Sequence, residues 1–157
     1  MQKIFQNLYE ADRIIKAVDH LVYVTFPLVK DKRMLLNIIA ETKKAVALCI
    51  NSILQYDYLY KKIRLYKDTK ENFITFKEKC APRYGISQQE VDKITVLFEL
   101  AEKHKKSPLE FVRNDKVVIM SENFQTNTIT VEKTKEFVIT ARNLLEKIEK
   151  FLKTNYS

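Results

Sequence analysis

The stretch MLLNIIAETKKAVALCINSILQYDYLYKKI, residues 34–63, decides the fold. Apolar and small side chains recur at Leu35, Ile38, Thr42, Ala45, Cys49, Ser52, Tyr56, Leu59 and Ile63, always three or four positions apart. That spacing marks one face of an α-helix. Ile39, Val46, Ile50, Ile53 and Tyr60 broaden the face, so this helix belongs inside a bundle. No Pro or Gly interrupts it. One helix of roughly 30–35 residues is predicted, about 50 Å long, with Asp31 capping its start.

The rest of the chain supplies partners for it. Ile4, Leu8, Ala11, Ile15, Val18 and Val22 share one helical face. They predict a first helix from Gln2 to Val24 that Pro27 stops, because proline lacks a donor and restricts the residue before it. Asp68-Thr69-Lys70-Glu71 has the spacing of a capping box, and a short helix should follow to Cys80. Pro82 and Gly85 mark a turn. Ser87-Gln88-Gln89-Glu90 opens a further helix through Val91, Ile94, Phe98 and Ala101. Ser107-Pro108-Leu109-Glu110 repeats the signal, with Pro at the first helical position.

The next segment has a different character. Val117-Val118-Ile119-Met120 is β-branched and preceded by the turn-forming pair Asn114-Asp115, and Thr126 to Val131 is rich in Thr and Ile. These read as a brief extended or hairpin excursion within 112–130. Thr130 then caps a last helix carrying Thr134, Val138, Ala141, Leu145, Ile148 and Leu152 on one face. The predicted fold is all-α: a four-helix-bundle-like single domain over 1–157, with an extra short helix and that excursion.

Composition narrows function. The 157 residues include a single glycine, Gly85. A phosphate-binding P-loop, a dinucleotide fingerprint and a nucleophile elbow each need more than one, so none is present. The longest strongly apolar run, Ala45–Ile50, is far short of the roughly 20 residues that span a bilayer. Met1–Gln6 opens without the apolar core of a signal peptide. A cytoplasmic protein with no membrane association is the expectation. Cys49 and Cys80 then read as reduced packing residues.

No metal or cofactor is called for. Ala17 and Ala101 stand three residues before His20 and His104, so the Glu-x-x-His ligand pattern of di-metal bundles is absent. Neither cysteine belongs to a Cys-x-x-Cys pair. One pair has a catalytic meaning. Arg13 and His20 lie seven residues apart, on one helical face two turns apart. The spacing resembles the Arg, four to six residues, His pattern of the HEPN superfamily, whose helical bundles include RNA-cleaving toxins and effectors. In that family the motif lies towards the later helices; here it lies in the first. The resemblance implies a dimer in which Arg13 holds phosphate and His20 does acid–base work at a 2′-hydroxyl, in a ribonuclease or an inactive relative. The structural alternative makes both ordinary surface residues on a stripe with Gln6, Tyr9, Lys16 and Tyr23.

Charge points more broadly. Lys and Arg total 28 against 20 Asp and Glu, a net +8. Between 61 and 83 stand eight cations, Lys61, Lys62, Arg64, Lys67, Lys70, Lys77, Lys79 and Arg83, among Tyr58, Tyr60, Tyr66 and Tyr84. A second run holds Lys103, His104, Lys105 and Lys106, followed by Arg113 and Lys116. Concentrated cations attract polyanions through counterion release. Tyrosines beside them can stack on unpaired bases. The leading expectation is therefore a non-enzymatic binding or adaptor module for RNA or another acidic partner. Its site would comprise Lys61, Lys62, Arg64, Lys67 and Arg83, with Lys105, Lys106 and Arg113 as a second patch. The 22 Lys to six Arg favour charge neutralisation over base-specific recognition. A third expectation is a homodimer or protein-binding module using the apolar face of the long helix.

Overall fold

The computed structural model describes residues 1–114 and 116–156, and of Tyr156 the backbone alone. The Asp115 half of the expected turn therefore lies outside the described residues. The chain is mostly helical, and its helices pack together beside a small antiparallel sheet. In order they are α1 (Gln2–His20), α2 (Phe26–Val29), α3 (Met34–Leu59), α4 (Thr69–Thr75), α5 (Gln88–Lys106), β1 (Leu109–Arg113), β2 (Lys116–Met120), β3 (Thr126–Ile129) and α6 (Val131–Tyr156).

The apolar stretch became the central helix. α1, α5 and α6 all pack on α3, and α6 also touches α1 and α5. Leu35, Ile38, Ile39, Ala45, Val46, Cys49 and Ile53 are completely buried. Two hydroxyls in this apolar interior are satisfied locally. Thr42 Oγ1 donates to the Ile38 carbonyl at 2.7 Å and Ser52 Oγ to the Leu48 carbonyl at 3.0 Å.

α3 is 26 residues long, shorter than its sequence pattern suggests. Lys61 takes a left-handed φ of 57°. The Lys62 N–H reaches back to the Asp57 carbonyl at 2.9 Å and the Lys61 N–H to Tyr58 at 3.0 Å. This is a Schellman stop made without glycine. Leu59 is half exposed in consequence, while Ile63, beyond the stop, folds back into the core. Apolar period outlived the helix because the chain after the turn returns to the same interior.

Pro27 does not end the first helical segment. Residues Leu21–Thr25 form a π turn, in which the Phe26 N–H bonds the Leu21 carbonyl five residues back, and helix continues through Pro27 to Val29. The widened turn makes Pro27 the start of a new helical segment, where its missing N–H is tolerated. Lys30, at φ 59°, supplies the stop, its N–H bonding the Phe26 carbonyl. A second π turn, Phe76–Cys80, prolongs α4 as far as the predicted Cys80.

The caps divide cleanly. The Asp68 carboxylate accepts from the Lys70 N–H at 2.8 Å, Ser87 Oγ from Glu90 at 3.2 Å, and Thr130 Oγ1 from Lys133 at 3.1 Å. Asp31 instead accepts from the Arg33 N–H, closing the turn before α3. Ser107-Pro108 opens no helix. Ser107 Oγ accepts from the Leu109 N–H and donates to the Met120 carbonyl, tying β1 to β2. Sheet order is β1-β2-β3, so the excursion within 112–130 begins earlier, at Leu109. The β-branched run on β2 supplies the sheet's buried face, and Val117, Ile119 and Ile129 complete the core beneath it.

Candidate functional site

The richest concentration of unengaged charge lies where α3 ends. Its Schellman stop turns the backbone outward at Lys61 and Lys62, and only Ile63 is buried between there and Asp68. The loop is held from below. The Tyr66 N–H donates to Asn72 Oδ1, and Asn72 Nδ2 donates back to the Tyr66 carbonyl, each at 2.8 Å. Asn72 thus replaces a missing strand partner for the loop backbone. Lys61, Lys62, Arg64 and Lys67 are exposed. Among the described residues, none of the four has a carboxylate within ion-pair distance. Tyr58, Tyr60 and Tyr66 beside them are each about half exposed.

Arg83 does not join this group. Its guanidinium pairs with Asp57, whose side chain is 1% exposed, and its Nε donates to the Lys79 carbonyl at 3.2 Å. The Tyr84 hydroxyl donates to the other Asp57 oxygen at 3.0 Å. Arg83 therefore serves as counter-charge to a buried carboxylate, joining the end of α3 to the turn after Cys80. Burial, together with Asp57, drives the Tyr84 hydroxyl pKa up. Burial likewise raises the Cys80 thiol, again reinforced by Asp57, to about 12.

The second predicted patch is divided. Lys106 bonds Glu102 at 2.9 Å on α5, an exposed i,i+4 pair. Lys105 is exposed beside it, and Arg113 lies across the outer face of the sheet. A cavity of about 650 Å³ between α3, α4 and α5 brings Lys106 opposite Lys70 and Lys43, over Phe73 and Phe98. Asn72 lines it too, so the cavity begins beneath the 61–67 loop. Lys43 belongs to the α3 surface and was hidden within the apolar pattern. Its Nζ sits 5.9 Å from the Phe98 ring centre. No sequence signal links positions 43, 70 and 106.

Arg13 and His20 stand on the solvent side of α1. Arg13 is held by Glu10 through two hydrogen bonds of 3.0 and 2.5 Å. That pair raises the guanidinium pKa and lowers the carboxyl one. His20 Nδ1 lies 3.4 Å from Thr25 Oγ1 across the first π turn. The two are about 10 Å apart along the helix, and neither lines the principal cavities of the described residues.

A cavity of about 690 Å³ lies instead between α1 and α6 and includes Asp12, Lys16, Glu149 and Lys153. Lys16 is already paired with Asp12 at 2.9 Å. Burial and the neighbouring Asp12 and Glu146 charges raise the Glu149 pKa. The two carboxylates and two lysines of this cleft balance, so it offers no net positive charge to a polyanion. No group of three or more metal-ligating side chains occurs among the described residues, nor any helix long and apolar enough to cross a membrane. Comparison with known proteins finds no family model and no curated protein that matches the chain.

Proposed function

We propose that this chain is a non-enzymatic binding module for a polyanion, with RNA as the preferred ligand. Lys61, Lys62, Arg64 and Lys67 form the principal contact, and Tyr58, Tyr60 and Tyr66 offer rings to exposed bases. One observation carries the reading: four neighbouring cations on a backbone-anchored loop, with no acidic partner among the described residues, beside three half-exposed tyrosines. Cations that stabilise a fold are commonly paired, as Arg83, Arg142 and Lys147 are here. Unpaired ones retain their full attraction for phosphate. Lys70 and Lys43 extend the positive surface along the neighbouring cavity, where Glu102 already pairs with Lys106.

The test is binding of a single-stranded RNA across a salt series. Changing Lys61, Lys62 and Lys67 together to Gln should weaken binding strongly and flatten the dependence of log affinity on log salt by about 0.7 per cation removed. The melting temperature should stay unchanged, since these side chains make no ion pair among the described residues. Binding that is indifferent to all three refutes the assignment. RNA cleavage that disappears in His20→Ala would replace it with the ribonuclease reading.

A further inference from the structure

We propose that the outer face of the β1-β2-β3 sheet seats one unpaired nucleotide of single-stranded RNA, its base against Phe111 and its phosphate between Arg113 and Lys116. The proposal rests on the RNA-binding reading above but concerns a different surface. Alternation along the strands divides the sheet into two faces. Val117, Ile119 and Ile129 point into the core, and Glu110 turns inward to bond His104 of α5. The opposite face therefore carries Phe111 and Arg113 from β1, Lys116, Val118 and Met120 from β2, and Thr126 and Thr128 from β3.

Register fixes how these meet. Arg113 pairs directly with Lys116, and Phe111 with Val118, which in turn pairs with Thr128. Directly opposed side chains have Cβ atoms about 5 Å apart. Phe111 stands two positions from Arg113 on the same face, about 7 Å along the strand. An aromatic ring and a pair of cations thus lie within the reach of one nucleotide. Side chains of this face line a cavity of about 320 Å³ with no carboxylate in its described lining. Two threonine hydroxyls on the far side supply donors and acceptors for a base edge.

Charge complementarity selects the occupant. Arg113 and Lys116 have no ion-pair partner among the described residues, and even with Asp115 between them in sequence the hairpin end keeps a net positive charge. Phe111 has no partner ring or cation among the described residues, unlike Phe73, which Lys77 approaches to 4.9 Å. A planar, anionic ligand satisfies both features, and in a nucleic acid only an unpaired base offers its face to a ring. The cavity suits one such unit, not a helix or a duplex.

A 2-aminopurine-labelled single-stranded RNA of about 12 nucleotides tests this with the full chain. Phe111→Leu, which keeps apolar bulk and removes the ring, should weaken binding about tenfold and abolish the fluorescence change on binding. Phe111→Tyr should retain both, which separates loss of stacking from loss of folding. Arg113→Gln and Lys116→Gln should each flatten the salt dependence by about 0.7. Unchanged affinity and fluorescence in Phe111→Leu, with binding still lost in the 61/62/67 variant, overturns this inference and leaves the wider reading standing. No RNA binding by the wild-type chain at low salt overturns both. Equal affinity for a duplex of the same length, displacement from the Phe111 face by polyglutamate, or self-association that Phe111→Leu dissolves would each assign the face to another occupant and refute the nucleotide.

Discussion

Arg83 shows how one side chain changes meaning on folding. In the sequence it belongs to a basic run; in the fold it answers Asp57, 26 residues earlier, whose carboxylate also accepts from Tyr84. Removing one member of a buried pair strands the other, and the cost falls mainly on the stranded charge. Arg83→Ala should therefore destabilise the fold by about 2 kcal/mol, below the 3–5 of a fully buried pair because the Arg83 side chain is 34% exposed. Urea unfolding at neutral pH checks the figure. RNA affinity of the folded fraction should be unaffected, the opposite of the 61/62/67 variant. Asp57→Asn combined with Arg83→Ala should recover part of the loss, since the uncompensated charge is gone.

Among the elements, two helical stops are made without glycine. Lys30 and Lys61 occupy left-handed conformations that cost an L-residue about 1–2 kcal/mol, and the one glycine, Gly85, takes φ 71° at a third such stop. There the Ile86 N–H bonds the Ala81 carbonyl at 3.0 Å, and buried Ile86 anchors the turn. Lys30→Gly should raise stability by about 0.5–1 kcal/mol, the relief of strain less the greater unfolded-state freedom of glycine. A higher urea midpoint with an unchanged slope would establish it; a lower midpoint would show that the Lys30 side chain contributes more than its backbone costs. Element boundaries were the least legible part of the sequence. The π turn before Pro27 and the stop at Lys61 depend on backbone hydrogen bonds that the apolar period does not encode. Ser107-Pro108 carries the letters of a helix start, yet the β-branched residues of β2 captured the following segment as a strand.

Across the whole molecule, two thiols lie in the one packed interior. Burial, the larger cause, lifts both Cys49 and Cys80 from 9.0 to about 12. Between pH 9 and 12 the unfolded chain loses these protons while the folded chain keeps them, so stability falls as pH rises through that window. Each thiol contributes up to about 1.4 kcal/mol per pH unit. Cys49→Ala should lower stability at pH 7 through lost packing, yet show a shallower alkaline decline. Urea unfolding along a pH series measures both effects, and an unchanged slope would show that Cys49 ionises in the folded protein as readily as in the unfolded one.

The local pattern of the chain determined the helical bundle, the broad apolar face of its long helix, and the caps at Asp68, Ser87 and Thr130. Each depends on residues within about one helical turn or on a period repeated many times. Tertiary structure alone decided which cations are spent within the fold. Arg83 meets Asp57, Arg142 meets Asp19 and Lys147 meets Glu90 across helices, and charge pairing over such separations leaves no local trace. It also decided the outer face of the sheet. Phe111, Arg113 and Lys116 come together because antiparallel register aligns β1 with β2, and register follows from which strand faces are buried.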